Sequence, residues 1–300
     1  MSSRPRFFMR RPLAAMMTAV AALAIGLVGT VPAVGAGSTP LKYPFKVKTV
    51  PNVEPGVTSA KIDCPADHPL VTGGGVEITG NQTGLDLEVG STLSDGNLGA
   101  WTAVANNSSA DSASMRVTAI CAIRAITFRR AHKNVPPNTQ GHLKVSCPAG
   151  SELTGGGVRI GGGTHKQEVA TTAPFDGSDA DHRPDDGWQG RANNGLSRRV
   201  TMTVDAVCAR RGTFSYVHSA RQSVGNNQQV TSSIDCPTGT KVTGGGVGIT
   251  GTSLGIEVAD TFPFDGSDAD HTPDDGWQGA ANNDSSGQLQ KMQVFAICRN

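Results

Sequence analysis

Five aspartates lie within eleven residues at Asp176, Asp179, Asp181, Asp185 and Asp186, and five more recur 89 residues on at Asp265, Asp268, Asp270, Asp274 and Asp275. Carboxylates so crowded repel one another unless a cation sits among them, and oxygen-only ligands in a flexible loop suit Ca²⁺. The expectation is one calcium ion per loop, bound with the weak affinity of extracellular modules; the spacing is not that of an EF-hand. The competing reading is a solvated turn whose Asp side chains accept hydrogen bonds from nearby backbone amides. His182 and His271 hold matched places in the two loops, which admits a zinc ligand or a pH response. A recent duplication would produce the same coincidence.

Each loop runs into a tryptophan, Trp188 or Trp277, and then into an Asn pair beginning at Asn193 or Asn282. An aromatic face beside carboxylates and amides is suited to stacking on a sugar ring. Trp188, Asn193, Trp277 and Asn282 are therefore candidate ligand-binding residues, the alternative being that each Trp is the core of its own unit. Paired carboxylates are also what a glycosidase needs, and Glu168 with the acidic loop could supply acid and base. Against this, the chain has no Gly-x-Ser-x-Gly, no His-Glu-x-x-His and no leftover nucleophilic cysteine. A catalytic site is expected to use residues that occur once, and here nearly every candidate is duplicated. No catalytic residue is assigned. The residues favour an extracellular binding or structural component over an enzyme, with a glycosidase-like hydrolase or a protease-facing inhibitor as alternatives. Glu88, Glu168 and Glu257, which recur in Glu-Val pairs, read as a structural pair or as outward strand positions.

The frame that must position these residues is an internal repeat. Three copies share an opening Phe (Phe45, Phe128, Phe214), a Cys-Pro (Cys64, Cys147, Cys236) and Thr-Gly-Gly-Gly-Val from Thr72, Thr154 and Thr243. They also share a tryptophan (Trp101, Trp188, Trp277), an Asn pair from Asn106, Asn193 and Asn282, and a closing cysteine (Cys121, Cys208, Cys298). The repeats occupy residues 37–124, 125–211 and 212–300. The first keeps Asp95 and Gly96 but lacks the carboxylate cluster, so the scaffold does not require it. Alternating stretches such as Val200–Val207, separated by Gly, Pro, Asn and Asp, predict five or six short antiparallel strands per copy. The fold class is all-β. Short Cys-to-Phe junctions place neighbouring copies in contact, either as a pseudo-threefold prism or as consecutive small sandwiches.

Two cysteines per copy in an exported chain read as three disulfides, Cys64–Cys121, Cys147–Cys208 and Cys236–Cys298; the repeat selects this pairing among the fifteen that six cysteines allow. Glycine in a strand interior gives no side chain to pack, so the triple glycine needs a reason. One is that a large ring, the copy's own tryptophan, lies flat on the bare strand; the other is an anion-binding nest of amides.

Residues 1–36 carry four arginines, no acid and an apolar stretch ending in small residues, the signature of a cleaved secretory signal peptide. No later stretch is long and apolar enough to span a membrane, so no membrane association is expected after cleavage. Without that segment 22 basic groups face 25 acidic ones, a balance that argues against nucleic acid as a partner. The Arg129-Arg130 and Arg198-Arg199 pairs read as solvated strand ends. A secreted, extracellular or cell-wall-associated location follows, with a cell-wall or other extracellular glycan, or a protein, as partner.

The series Cys-Pro, Thr-Gly-Gly-Gly-Val, Pro-Phe-Asp-Gly-Ser-Asp, Pro-Asp-Asp-Gly-Trp and closing Ala-Ile/Val-Cys resembles a repeat family of secreted actinobacterial proteins. The resemblance covers nearly all of the chain after residue 36. It implies export and repeat architecture, and no catalytic residues. A looser likeness, resting on threefold repetition alone, is to the three-sheet prism of vitelline membrane outer layer protein I, whose repeats are shorter.

Overall fold

The computed structural model describes residues 43–80, 86–123, 126–177, 181–210, 212–285 and 289–300. The expected signal peptide, residues 1–36, lies outside the described residues, and so does Asp179. The described chain is all β. The first copy supplies β1 Phe45–Val53, β2 Gly56–Asp63, β3 Leu70–Thr79, β4 Leu87–Ser94, β5 Ala100–Asn107 and β6 Ala113–Ala122. The second supplies β7 Ile126–Val135, β8 Thr139–Ser146, β9 Ser151–Ile160, β10 Gln167–Phe175, β11 Gly187–Asn194 and β12 Val200–Arg210. The third supplies β13 Phe214–His218, β14 Gln222–Val224, β15 Gln228–Asp235, β16 Lys241–Ile249, β17 Ile256–Phe264, β18 Gly276–Asn283 and β19 Gln290–Arg299.

These strands form three antiparallel sheets, none closed into a barrel, in the orders β1-β6-β3-β17-β18-β15, β2-β5-β4-β9-β12-β7 and β13-β19-β16-β10-β11-β8, with β14 also on β19. Every copy is split between two sheets. In the first two copies the first, third and last strands build half of one sheet and the second, fourth and fifth half of the next; in the third copy β13, β14, β16 and β19 build half of one, and β15, β17 and β18 half of the next. A copy alone would leave β3 and β4, or their equivalents, as bare edges, which invite pairing with other chains. Here β3 meets β17, β4 meets β9 and β10 meets β16. The expectation had left open a prism or sandwiches in a row; the sheets form the prism-like arrangement. The copies are sequence repeats, but none is an independent domain, and Pro40–Asn300 forms one compact unit.

The disulfides are those read from the repeat: Cys64–Cys121, Cys147–Cys208 and Cys236–Cys298. Cys64, Cys147 and Cys236 directly follow β2, β8 and β15, and their partners lie in β6, β12 and β19, so each bridge ties two different sheets together. The three bridges between them join all three sheet pairs.

The triple glycines explain how backbones approach so closely. A Cβ at Gly244 would stand 2.4 Å from Thr154 O and 2.9 Å from Gly155 Cα, and Gly155 meets the Thr72–Gly73 backbone and Gly73 the Thr243–Gly244 backbone in the same way. The bulged threonine ahead of each triplet closes a ring: Thr72 Oγ1 lies 3.1 Å from Thr243 O, Thr154 Oγ1 3.2 Å from Thr72 O, and Thr243 Oγ1 3.2 Å from Thr154 O. This cycle marks an approximate threefold axis. The middle glycine of each triplet lies under its own copy's tryptophan: a Cβ at Gly245 would come within 2.3 Å of the Trp277 ring. The first of the two readings for the glycine run therefore holds. Trp101, Trp188 and Trp277 are fully buried, and each indole N–H donates to a threonine, Thr92, Thr172 or Thr261, at 2.8–3.0 Å. Burying roughly 200 Å² of ring contributes about 5 kcal/mol apiece. Around the rings the core is mostly Val, Ala, Ile and Met.

One expectation about surface charge is corrected. Arg130 is not a solvated strand end, because its Nε donates to Asp205 Oδ1 at 2.7 Å and its Nη2 to Asp205 Oδ2 at 2.6 Å. Asp205 is fully buried and also accepts from Ser94 Oγ at 3.0 Å, which ties the second copy to the first.

Candidate functional site

The strands that run along the prism give it two chemically different ends. In β10, Glu168 stands at the start, and the acidic loop follows Phe175 at the finish. Phe175 lies seven steps of extended chain beyond Glu168, roughly 23 Å. Glycosidase carboxyl pairs stand about 5–9.5 Å apart, so Glu168 and the acidic loop cannot serve as acid and base for one bond. The hydrolase reading built on that pair is corrected by the length of the strand.

At the loop end, the third copy brings its aspartates around a lysine. Lys241 Nζ lies 2.7 Å from Asp274 Oδ1, 3.3 Å from Asp268 Oδ2 and 3.4 Å from Asp270 Oδ2. The hydrogen bond to Asp274 is the main cause holding the Lys241 ammonium above its usual range. Two sets of three carboxylates, Asp265/Asp268/Asp275 and Asp268/Asp270/Asp274, are close enough to share one ion, and most of these residues are exposed. Backbone amides also use the carboxylates: Gly266 N donates to Asp275 at 2.7 Å, Asp270 N to Asp268 at 3.0 Å and Thr272 N to Asp270 at 2.8 Å. The solvated-turn reading thus has its bonds in place. His271 Nδ1 is 3.7 Å from Asp265, and His182 Nδ1 is 3.9 Å from Asp176. Both histidines adopt positive φ, 55° and 58°. In the second copy Gly177 N donates to Asp186 and Arg183 N to Asp181. Glu152 replaces the lysine there, and Arg183 replaces Thr272, so the two loops balance their charge by different means.

The tryptophans and asparagines proposed to hold a sugar are elsewhere than that reading required. Trp188 and Trp277 lie beneath the sheets with no exposed face, because the glycine strand opposite is shaped to receive them. Asn193 and Asn282 are structural: Asn193 Nδ2 donates to Ile256 O at 2.9 Å and Asn282 Nδ2 to Leu87 O at 3.2 Å. With Asn106 Nδ2 donating to Gln167 O at 2.8 Å, they form a second ring of bonds from each copy to the next. Stacking at these positions is corrected to core packing and stitching.

That second ring presents the glutamates. Each Asn stands directly across the ladder from its copy's glutamate: Asn106 from Glu88, Asn193 from Glu168 and Asn282 from Glu257. The carbonyl it grips belongs to the residue just before the next copy's glutamate. As a result, Glu88, Glu168 and Glu257 line a single open basin of about 540 Å³ at the end of the prism opposite the acidic loops, joined at its walls by Asp86, Lys166 and Asp284. Glu88 and Glu257 are 7 % and 4 % exposed. Glu88 Oε2 and Glu257 Oε2 are buried without a hydrogen-bond partner.

Burial sets the chemistry of this end. It pushes Glu88 up to about 9, with the neighbouring Glu168 and Asp284 adding to the effect. It pushes Glu168 up to about 8 against a hydrogen bond from Asn193, and it holds Glu257 well above the carboxylate range. Burial thus favours the neutral acid in all three, a form able to donate as well as accept a hydrogen bond. The expectation of outward strand positions is therefore corrected: alternation does not reveal that both faces of the seam strands are covered. Asp284 and Lys241 were not singled out in the sequence, and neither carries a local signal beyond its charge.

Fold and basin define a disulfide-stabilised, three-sheet β protein with one carboxyl-rich recess near its approximate threefold axis. No protein-family profile and no curated protein sequence matches the chain.

Proposed function

We propose that this is an extracellular binding module, glycan-directed, with the glutamate basin as its recognition site. Three disulfides are consistent with an oxidising compartment. The observation that carries the reading is the convergence of Glu88, Glu168 and Glu257 on one open recess. Carboxyl groups that burial holds toward the neutral acid can both donate and accept, which suits the paired donors and acceptors of sugar hydroxyls. A pull-down on insoluble cell-wall polysaccharides tests it: the purified protein is retained, and Glu168→Gln with Glu257→Gln lowers retention at least tenfold. No retention on any glycan, or retention indifferent to those substitutions, would sink it.

Calcium belongs to the same proposal at the 265–275 loop, supported by its two sets of three carboxylates. There the ion competes with the Lys241 ammonium, so Lys241→Met is expected to tighten calcium binding several-fold in calorimetry. No heat from either protein would remove calcium from the reading. A structural role in the extracellular matrix has its own support in the three bridges that lock the sheets to one another. Slow digestion by secreted proteases without inhibiting them would favour it over an inhibitor.

A further inference from the structure

The basin differs from an ordinary acidic patch in two respects. Its carboxyl groups arrive from three separate copies, held in place by the asparagine ring, and two of its oxygens, Glu88 Oε2 and Glu257 Oε2, are shut away from solvent with nothing to bond. A buried acceptor without a donor costs about 1–3 kcal/mol, so the site is built for a group that is absent from the chain itself. Five acidic side chains face it, Asp86, Glu88, Glu168, Glu257 and Asp284, against the one ammonium of Lys166 and the imidazole of His165. Such an excess of acidic groups selects a cation, which can draw a proton off the glutamates as it enters. A bare metal ion is a poor fit: the only carboxylate sets close enough to share one ion among the described residues are at the opposite end, in the 265–275 loop.

We propose that the basin takes the ammonium group of an amino sugar, with the Glu88 and Glu257 carboxyls turning into the recess to receive its N–H donors and Asp284 adding negative charge beside them. This rests on the glycan reading above and names the class of sugar. A recess of about 540 Å³ admits a sugar ring as well as its ammonium. Since the recess holds its glutamates protonated before the ligand arrives, entry of the cation expels a proton to solvent, and the sugar's affinity rises with pH while its amine stays charged.

The test is calorimetric titration of the full-length oxidised protein with glucosamine oligosaccharides, with their N-acetylated counterparts and with calcium chloride. It is run from pH 5.5 to 7 in two amine-free buffers of different ionisation heat, so that released protons are counted. Expected are binding of the deacetylated sugar with release of about one proton, affinity rising up to tenfold per pH unit, and loss of both in Glu88→Gln/Glu257→Gln. Equal binding of the N-acetylated sugar without proton release would overturn the ammonium assignment and leave the glycan reading standing. Binding of neither sugar overturns both. Calcium binding that disappears in the same variant, or sugar binding that survives it, also overturns the assignment.

Discussion

Glu88→Gln is the substitution that separates a buried, protonated glutamate from an exposed one. In the folded protein burial raises the group from 4.5 to about 9. The folded state therefore keeps a proton that the unfolded chain gives up, so stability is complete below pH 4.5 and falls as pH climbs toward 9. The slope is about 1.4 kcal/mol per pH unit for this one residue. Between pH 5 and pH 7 the wild-type protein loses about 3 kcal/mol through Glu88, and glutamine, neutral throughout, loses none. Replacing a carboxylic acid with an amide has its own cost, close to 1 kcal/mol where a new N–H goes unpaired, but that cost is the same at each pH. The readout is the difference between the two curves. Urea unfolding at pH 5, 6 and 7, with the disulfides intact and amine-free buffers, should show the variant gaining on the wild type by about 3 kcal/mol across that interval. Parallel curves would mean that Glu88 is ionised and solvated in the folded state, and the account of the basin would fall with it.

Two further perturbations address the scaffold. Alanine at Gly244 would place its Cβ 2.4 Å from Thr154 O, backbone against backbone, and is expected to cost more than about 3 kcal/mol or prevent folding, while alanine at Gly239, where φ is +82° and nothing lies within 4 Å, costs about 1–2 kcal/mol; similar urea midpoints for the two would refute the axial packing. Removing the Cys236–Cys298 bridge as a double serine variant opens a loop with a sequence separation of 62 and is expected to cost about 4 kcal/mol, read as a lower urea midpoint; an unchanged midpoint would show that the sheets hold without it.

Much of the frame was legible in the chain. The repeat selected the three cysteine pairs, and the bare Gly-Gly-Gly strand opposite a lone tryptophan indicated a ring on glycine, because each is a matter of volume and spacing within one copy. What stayed hidden lies between copies. Nothing local in Leu87-Glu88-Val89 distinguishes an outward glutamate from a buried one; the burial comes with the assembly of the copies, where Asn282 of the third reaches Leu87 O. The asparagine pairs misled for the same reason. Next to a tryptophan they suggest sugar chemistry, yet their amides are spent on carbonyls of the following copy, at Gln167, Ile256 and Leu87. Arg130 was misplaced because its partner Asp205 sits 75 residues away.

Location near the axis also removes an objection to function. Duplicated residues argue against a dedicated site when each copy is a separate domain, because a ligand then meets each copy alone and one-of-a-kind residues are needed to make one place different from another. Near the axis the argument inverts: three equivalent glutamates produce one site per molecule, and it exists only when all three copies are assembled. The surroundings then make the three unequal. Glu168 is partly exposed and bonded to Asn193, whereas Glu88 and Glu257 are buried with an unpartnered oxygen each. Asp284 comes from the third copy; the residue in its place is Ser108 in the first and Gly195 in the second. The acidic loop, by contrast, is carried whole within a copy and is missing from the first, so the scaffold does without it there. The glutamate is kept in every copy, and the recess it forms can form nowhere else in the molecule.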